Sequence, residues 1–255
     1  MKFVLGFAIF KLAKYIDSYS NMRNQLFLLL CVLFSTGINA QDETAYSEAY
    51  EVFDFFVGHT NAGVFNGVEY YEKYPARNNK HKFFNSPNFQ LGSLLYAQEP
   101  YYNLALKYDV YDDVLLARNP AVGSAPITLL TTEKINSFSI GDFTFLKLNQ
   151  LTDKGEELIG FFEVLFDNNE VILMKKHRKK MIRKVENGVY YEFKDDPWYV
   201  AAYNGSYFKL RNENSLSTVF PKAKDYIKAY TKSNEGLKDL NYDAYLVSLF
   251  KGLNN

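Results

Sequence analysis

The chain has 255 residues, 29 basic and 29 acidic side chains and a single cysteine. That length suits one domain or two small ones with ample core, and zero formal net charge supplies no overall field toward nucleic acid or an anionic membrane. The 22 Phe and 21 Tyr, with recurrent β-branched runs, favour strands over helices.

Met22 to Ala40 reads MRNQLFLLLCVLFSTGINA. Arg23 supplies a positive start, Leu26 to Phe34 an apolar centre, and Ile38-Asn39-Ala40 a cleavage site before Gln41, the layout of a signal peptide. The apolar run falls short of the roughly 18 residues needed to span a bilayer. Cys31 follows Leu30 where a lipoprotein requires a small residue, so lipid attachment is disfavoured. We expect residues 1–40 to be an N-terminal extension plus signal peptide. Because Met22 sits where such a peptide begins, the expected true start is Met22. A long n-region or an amphipathic surface helix is the alternative for residues 1–21. Removal of residues 1–40 leaves 25 basic against 28 acidic residues and no cysteine. Disulfides, thiolate metal sites and a cysteine nucleophile are then excluded, which suits an oxidising compartment.

Gln41 to Glu51 is polar, and Glu51 to Val57 is apolar and aromatic, with His59 close behind. Phe65-Asn66-Gly67-Val68 carries the first Asn-Gly pair, a hairpin signal because both turn residues take positive φ. Asn78 to Asn88 is polar and basic and reads as a loop. Leu91 to Arg118 is the clearest stretch. Tyr102, Leu104, Leu106, Tyr108 and Val110 alternate with Asn103, Ala105, Lys107 and Asp109, the period of a strand with one wet face. Turn chemistry at Gln98-Glu99-Pro100 and Tyr111-Asp112-Asp113, flanked by apolar runs, predicts three strands in an antiparallel meander.

Beyond a break at Asn119 to Pro126, Ile127 to Leu130 reads as a strand. Ile135 to Leu148 reads as two, joined at Gly141-Asp142. Turns at Asp153-Lys154-Gly155, Asp167-Asn168-Asn169, Asn187-Gly188 and Asn204-Gly205 separate the later strands. With no long helix interposed, pairing should be antiparallel. In the tail, Leu216, Val219, Phe220, Ala223, Tyr226, Ile227 and Tyr230 form a helical stripe. Pro221 starts a new helix, Asn234 to Gly236 stops it, and Asn241 caps a last one whose apolar face is Tyr242, Tyr245, Leu246, Leu249, Phe250 and Leu253.

Three segments carry a resemblance: Phe65-Asn66-Gly67-Val68-Glu69-Tyr70, the run Tyr102-Asn103 with Leu106-Lys107-Tyr108-Asp109-Val110-Tyr111-Asp112, and Val219-Phe220-Pro221-Lys222. Together they resemble a family of exported bacterial β-rich proteins with no assigned activity. The resemblance implies export and fold; it implies no catalytic residue, ligand or partner.

His59, His81 and His177 are far apart and not in metal-ligand spacing, and no phosphate loop, dinucleotide fingerprint or nucleophile elbow occurs. Asp109, Asp112 and Asp113 cluster at one turn. They suit a hard cation or, as we favour, hydrogen bonds to turn amides. Tyr70-Tyr71, Tyr101-Tyr102 and Tyr190-Tyr191 each place one ring on each strand face. Lys175 to Lys184 contains seven Lys and Arg, and setting them aside leaves 18 basic residues against 28 acidic in residues 41–255. Such a run suits an anionic partner or a hairpin kept soluble by its charges.

These features predict an α+β, mainly β fold: an antiparallel meander, barrel-like or strongly bent, with a C-terminal helical hairpin. One domain would span 41–255, its helical tail covering 215–253. The expected role is that of an exported (periplasmic or secreted) non-enzymatic protein, not integral to the membrane after cleavage, that binds a partner or small ligand. The partner would be an envelope protein or an anionic ligand and not nucleic acid. Lys175, Lys176, Arg178, Lys179 and Lys180 are the candidate binding residues; no catalytic residue, metal ligand or cofactor is assigned. The alternative is a hydrolase acting on envelope polysaccharide or peptide.

Overall fold

The structure, a computed structural model, describes residues 63–77, 79–119 and 126–253. Residues 1–40 with Cys31, the segment through His59 and most of the Asn119–Pro126 break lie outside the described residues. The chain divides into two compact units, Met1–Ala49 and Tyr50–Asn255, and every described residue belongs to the second.

The strands are β1 (Val68–Glu69), β2 (Gln90–Tyr96), β3 (Glu99–Asp109), β4 (Val114–Arg118), β5 (Ile127–Leu129), β6 (Ile135–Ile140), β7 (Phe143–Leu151), β8 (Glu157–Asp167), β9 (Val171–Lys176), β10 (Lys179–Val185), β11 (Val189–Asp195), β12 (Trp198–Tyr203) and β13 (Ser206–Leu210). Eleven of them form one sheet in the order β1-β5-β4-β3-β2-β6-β7-β8-β9-β12-β13, with every neighbour antiparallel. A 3-10 turn at Thr132–Lys134 carries the chain from β5 to the open side of β2, where β6 continues the meander. β10 and β11 pair only with each other as strands.

The predicted meander is present, with two adjustments. The first turn is Ala97-Gln98, both at positive φ, and Glu99 and Pro100 already belong to β3. Asn103 also has positive φ, at a register shift between β2 and β3. This bulge reverses the alternation, so Tyr101 is buried in place of Tyr102, while Leu104, Leu106, Tyr108 and Val110 face the core as expected. A third correction concerns Asn66-Gly67, which is no hairpin turn: Gly67 is absent from the positive-φ residues. A Cβ there would run into the carbonyl oxygen of Leu129 on β5, so glycine serves close approach of two backbones.

The sheet bends strongly. Tyr108 on β3 meets Phe145 on β7 at 5.3 Å and Phe161 on β8 at 5.9 Å between ring centroids, although two and three strands respectively lie between them in the sheet order. One core fills the concave side so formed. The sheet is not closed into a barrel, since β1 and β13 remain its edges. An isolated bridge between Thr152 and Tyr207 nonetheless ties β13 to the end of β7, around Leu158, Phe162, Met174 and Val200.

The tail forms α1 (Glu213–Val219), α2 (Lys224–Ser233), α3 (Glu235–Leu240) and α4 (Tyr242–Lys251). Asn212 and Asn241 cap α1 and α4 through their side chains. Asn234 ends α2, but α3 starts at once and contains Gly236, so that segment redirects the helical chain without ending it. The predicted stripe is real: Leu216, Ile227, Tyr245, Leu246, Leu249 and Phe250 are buried against β9, β12 and β13. Among the described residues no helix is long and apolar enough to cross a membrane.

Candidate functional site

The basic run that the sequence singles out separates into two groups. Lys175 reaches Asp243 at 2.6 Å and so holds the first turn of α4. Lys176 reaches Asp113 at 2.6 Å and the carbonyl oxygen of Phe161 at 3.2 Å. Lys179 donates to the carbonyl oxygens of His81 and Phe83 at 2.9 and 3.0 Å. Burial lowers the pKa of both Lys176 and Lys179, opposed by Asp113 and Asp195 respectively. The side chains of these three lysines are at most 13% exposed, so they are inward braces. Arg178 and Lys180 share Asp196 instead and are 56% and 66% exposed.

Alternation along β10 and β11 decides which side chains accompany them. Lys180 opposes Lys194, Ile182 opposes Glu192, and Lys184 opposes Tyr190, all on one face of the ribbon. Residues 75–77 and 79–80 lie along the other side of β11, where the amides of Tyr191 and Phe193 donate to the carbonyl oxygens of Pro75 and Lys80 at 2.9 and 3.0 Å. It adds Arg77, 4.7 Å over the Tyr190 ring, and Lys80, 2.9 Å from Glu192. Arg77, Lys80, Arg178, Lys180, Lys184 and Lys194 therefore share one outer face with Glu192 and Asp196. Lys184 and Lys194 have no carboxylate partner among the described residues. The opposite face is a dock: Tyr74 packs edge-on against Tyr111 and Tyr191, and Tyr111 against Phe193.

Beneath that dock lies Lys82, whose side chain is 2% exposed. Its ammonium stands 2.7 Å from Asp109 Oδ2, off the line of a hydrogen bond, and 3.2 Å from both Asp112 and Glu72. The Tyr74 ring lies 5.1 Å away. Burial works against this charge, and the neighbouring Asp109 carboxylate and Tyr70 outweigh it, so Lys82 is held above the lysine range. Asp109 Oδ1 accepts from the amides of Tyr111 and Asp112, each at 3.1 Å, which is the turn chemistry favoured for this acidic cluster. Asp113 turns the other way: it accepts from the buried Tyr108 hydroxyl at 2.6 Å and pairs with Lys176. Gly160, at φ +96°, makes room for that pair, since a Cβ would collide with the Asp113 carboxylate.

A cleft of about 250 Å³ opens beside Lys82, lined by Glu72, Tyr74, His81, Phe83 and Pro87 among others. Burial, then the Lys179 charge, lowers the pKa of His81. His177 lies apart, 2.5 Å from Glu163 and edge-on to Phe84. Among the described residues no group of three or more His, Cys, Asp or Glu is arranged to hold a metal ion. The carboxylates of Asp109, Asp112 and Glu72 converge on the Lys82 ammonium, which makes this centre a brace between Glu72, Lys82 and the β3–β4 turn.

Lys80, Arg77 and Lys194 join the basic face without having been singled out in the sequence. The first two sit in or beside the stretch read as a loop. Comparisons of the chain with family models, with curated proteins and with solved structures gave no match.

Proposed function

We propose that this is an exported, non-enzymatic protein that binds an anionic partner through the outer face of the β10–β11 ribbon. One observation carries the reading: the ribbon gathers six cations on one face, and Lys184 and Lys194 lack a carboxylate partner among the described residues. Elsewhere in the same run, lysines are turned inward onto specific acceptors. A face kept cationic beside lysines so fully paired is suited to recruiting negative charge from outside.

The test is binding of fluorescent poly-L-glutamate, followed by anisotropy. The triple variant Lys180→Gln/Lys184→Gln/Lys194→Gln should lose at least about tenfold in affinity, and binding by the unaltered chain should weaken as salt rises from about 0.05 to about 0.5 M. Equal binding by the two proteins would overturn the proposal.

A further inference from the structure

We propose that β10 takes up an extended acidic polypeptide as an added strand, its residues alternating so that acid, apolar and acid face Lys180, Ile182 and Lys184. This rests on the basic-face reading above and names the partner and its mode of binding.

The hydrogen-bond parity fixes which groups are open. The amide of Asp196 donates to the carbonyl oxygen of Arg178 at 2.8 Å, which places the even residues of β10 in the hydrogen-bonded pairs with β11. The odd amides of β11, at Tyr191 and Phe193, point away from β10 to segment 75–80, in agreement. Met181, Arg183 and Val185 therefore turn their N–H and C=O groups to the side of β10 that no strand among the described residues occupies.

A free edge is a template for another chain, and proteins usually blunt it with proline, bulges or very short length. β10 has none of these. It runs seven residues with an unbroken register to β11. Its only guard is charge of one sign, which repels a second copy of the same edge and admits an acidic strand. Side chains of an added strand would lie beside Lys180, Ile182 and Lys184, which are spaced about 7 Å apart along the face. Ile182, 42% exposed between two cations, gains an apolar neighbour only if the visiting strand alternates acid, apolar, acid. Strand addition of this kind draws affinity from main-chain bonds and specificity from alternate side chains.

The experiment uses the full chain and two peptides of one composition. In the first, Glu, Val and Glu occupy positions i, i+2 and i+4; in the second, the same residues are permuted so that the acids fall on opposite faces. The first should bind at least about tenfold more tightly. Arg183→Pro deletes an outward N–H while sparing every bond to β11, and should abolish that preference; Arg183→Thr, which removes only the charge, should keep it. Independently of any variant, the amides of Met181, Arg183 and Val185 should gain protection from hydrogen exchange at saturating peptide. If both peptides bind alike, proline and threonine behave alike and the three amides exchange unchanged, strand addition is wrong while the basic-face reading stands. If neither peptide nor poly-L-glutamate binds, both readings fall.

Discussion

The same chemistry, lysine against carboxylate, is used in opposite ways in the body of the sheet and on the ribbon beside it. In the body, Lys82 is buried with Asp109, and Lys176 is buried against a half-buried Asp113; the two pairs tie the β3–β4 turn to Lys82 and to β9. On the ribbon, Lys180 and Arg178 meet Asp196 in water. A buried pair is costly to break because the survivor is stranded out of water, whereas an exposed pair is screened and contributes little. Charge in the body is architecture; charge on the ribbon is free to serve recognition.

The sharpest way to break this distinction is to remove one cation from each region. Lys82→Met leaves Asp109 buried without its counter-charge and should cost about 3 to 5 kcal/mol. Lys180→Met should cost no more than about 1 kcal/mol. Urea melts with equal slopes decide it, and equal losses would erase the contrast.

Apolar groups should show the same gradient. Ile227 is fully buried under α4, so Ile227→Ala should cost about 2 to 4 kcal/mol. Its exposed neighbour Lys228 should tolerate alanine within about 0.5 kcal/mol, and Ile182→Ala on the ribbon within about 1 kcal/mol. If Ile227→Ala melts like the unaltered chain, the helices are an appendage to the sheet.

Two glycines sharpen the comparison further. Gly67→Ala forces a Cβ against the β5 backbone and should cost about 1 to 3 kcal/mol. Gly205→Ala meets open space, with only its φ of +72° against it, and should cost about 1 kcal/mol.

The smallest effect is in acid. Lys180, then Arg178, hold the Asp196 carboxyl below its ordinary range, and Lys209 with Arg211 does the same for Glu156. A carboxyl lowered on folding stabilises the native state above the ordinary range and loses that contribution as pH falls through its folded value. Asp196→Asn should therefore reduce the fall in Tm on acidification, slightly and only at the acid end. A steeper fall would mean that Asp196 is strained in its place.

Much of the fold can be read from the chain because turn chemistry is local. Asn187-Gly188 and Asn204-Gly205 adopt positive φ at both residues, and Asn241 caps α4 as its side chain allows. The errors fall where a distant strand decides. Asn66-Gly67 carries the same dipeptide signal, yet β5 dictates its conformation. The outward turn of Tyr102 depends on a bulge at Asn103, which nothing in the alternation announces. The candidate site was half legible. The cationic run is conspicuous, but which cations face outward depends on β10–β11 parity. Lys80 and Arg77 join them only because 75–80 lies along β11, a long-range pairing without a local signature.

Lys176 and Trp198 oppose each other as partners in β9 and β12, so the chain leaves the sheet and returns to it at the same spot. Residues 177–197 are thus the elaborated tip of an ordinary hairpin, inserted without shifting any register on either side. Closing a loop of that size costs only slightly more than closing a short one. The ribbon can be lengthened or exchanged while β9 and β12 stay paired, whereas trimming it to a tight turn would uncover Tyr74 and Tyr111 and remove the bonds from Lys179, Tyr191 and Phe193 to residues 75–83. The frame and the ribbon can accordingly diverge at different rates, because packing constrains the frame more tightly than the exposed face of the ribbon.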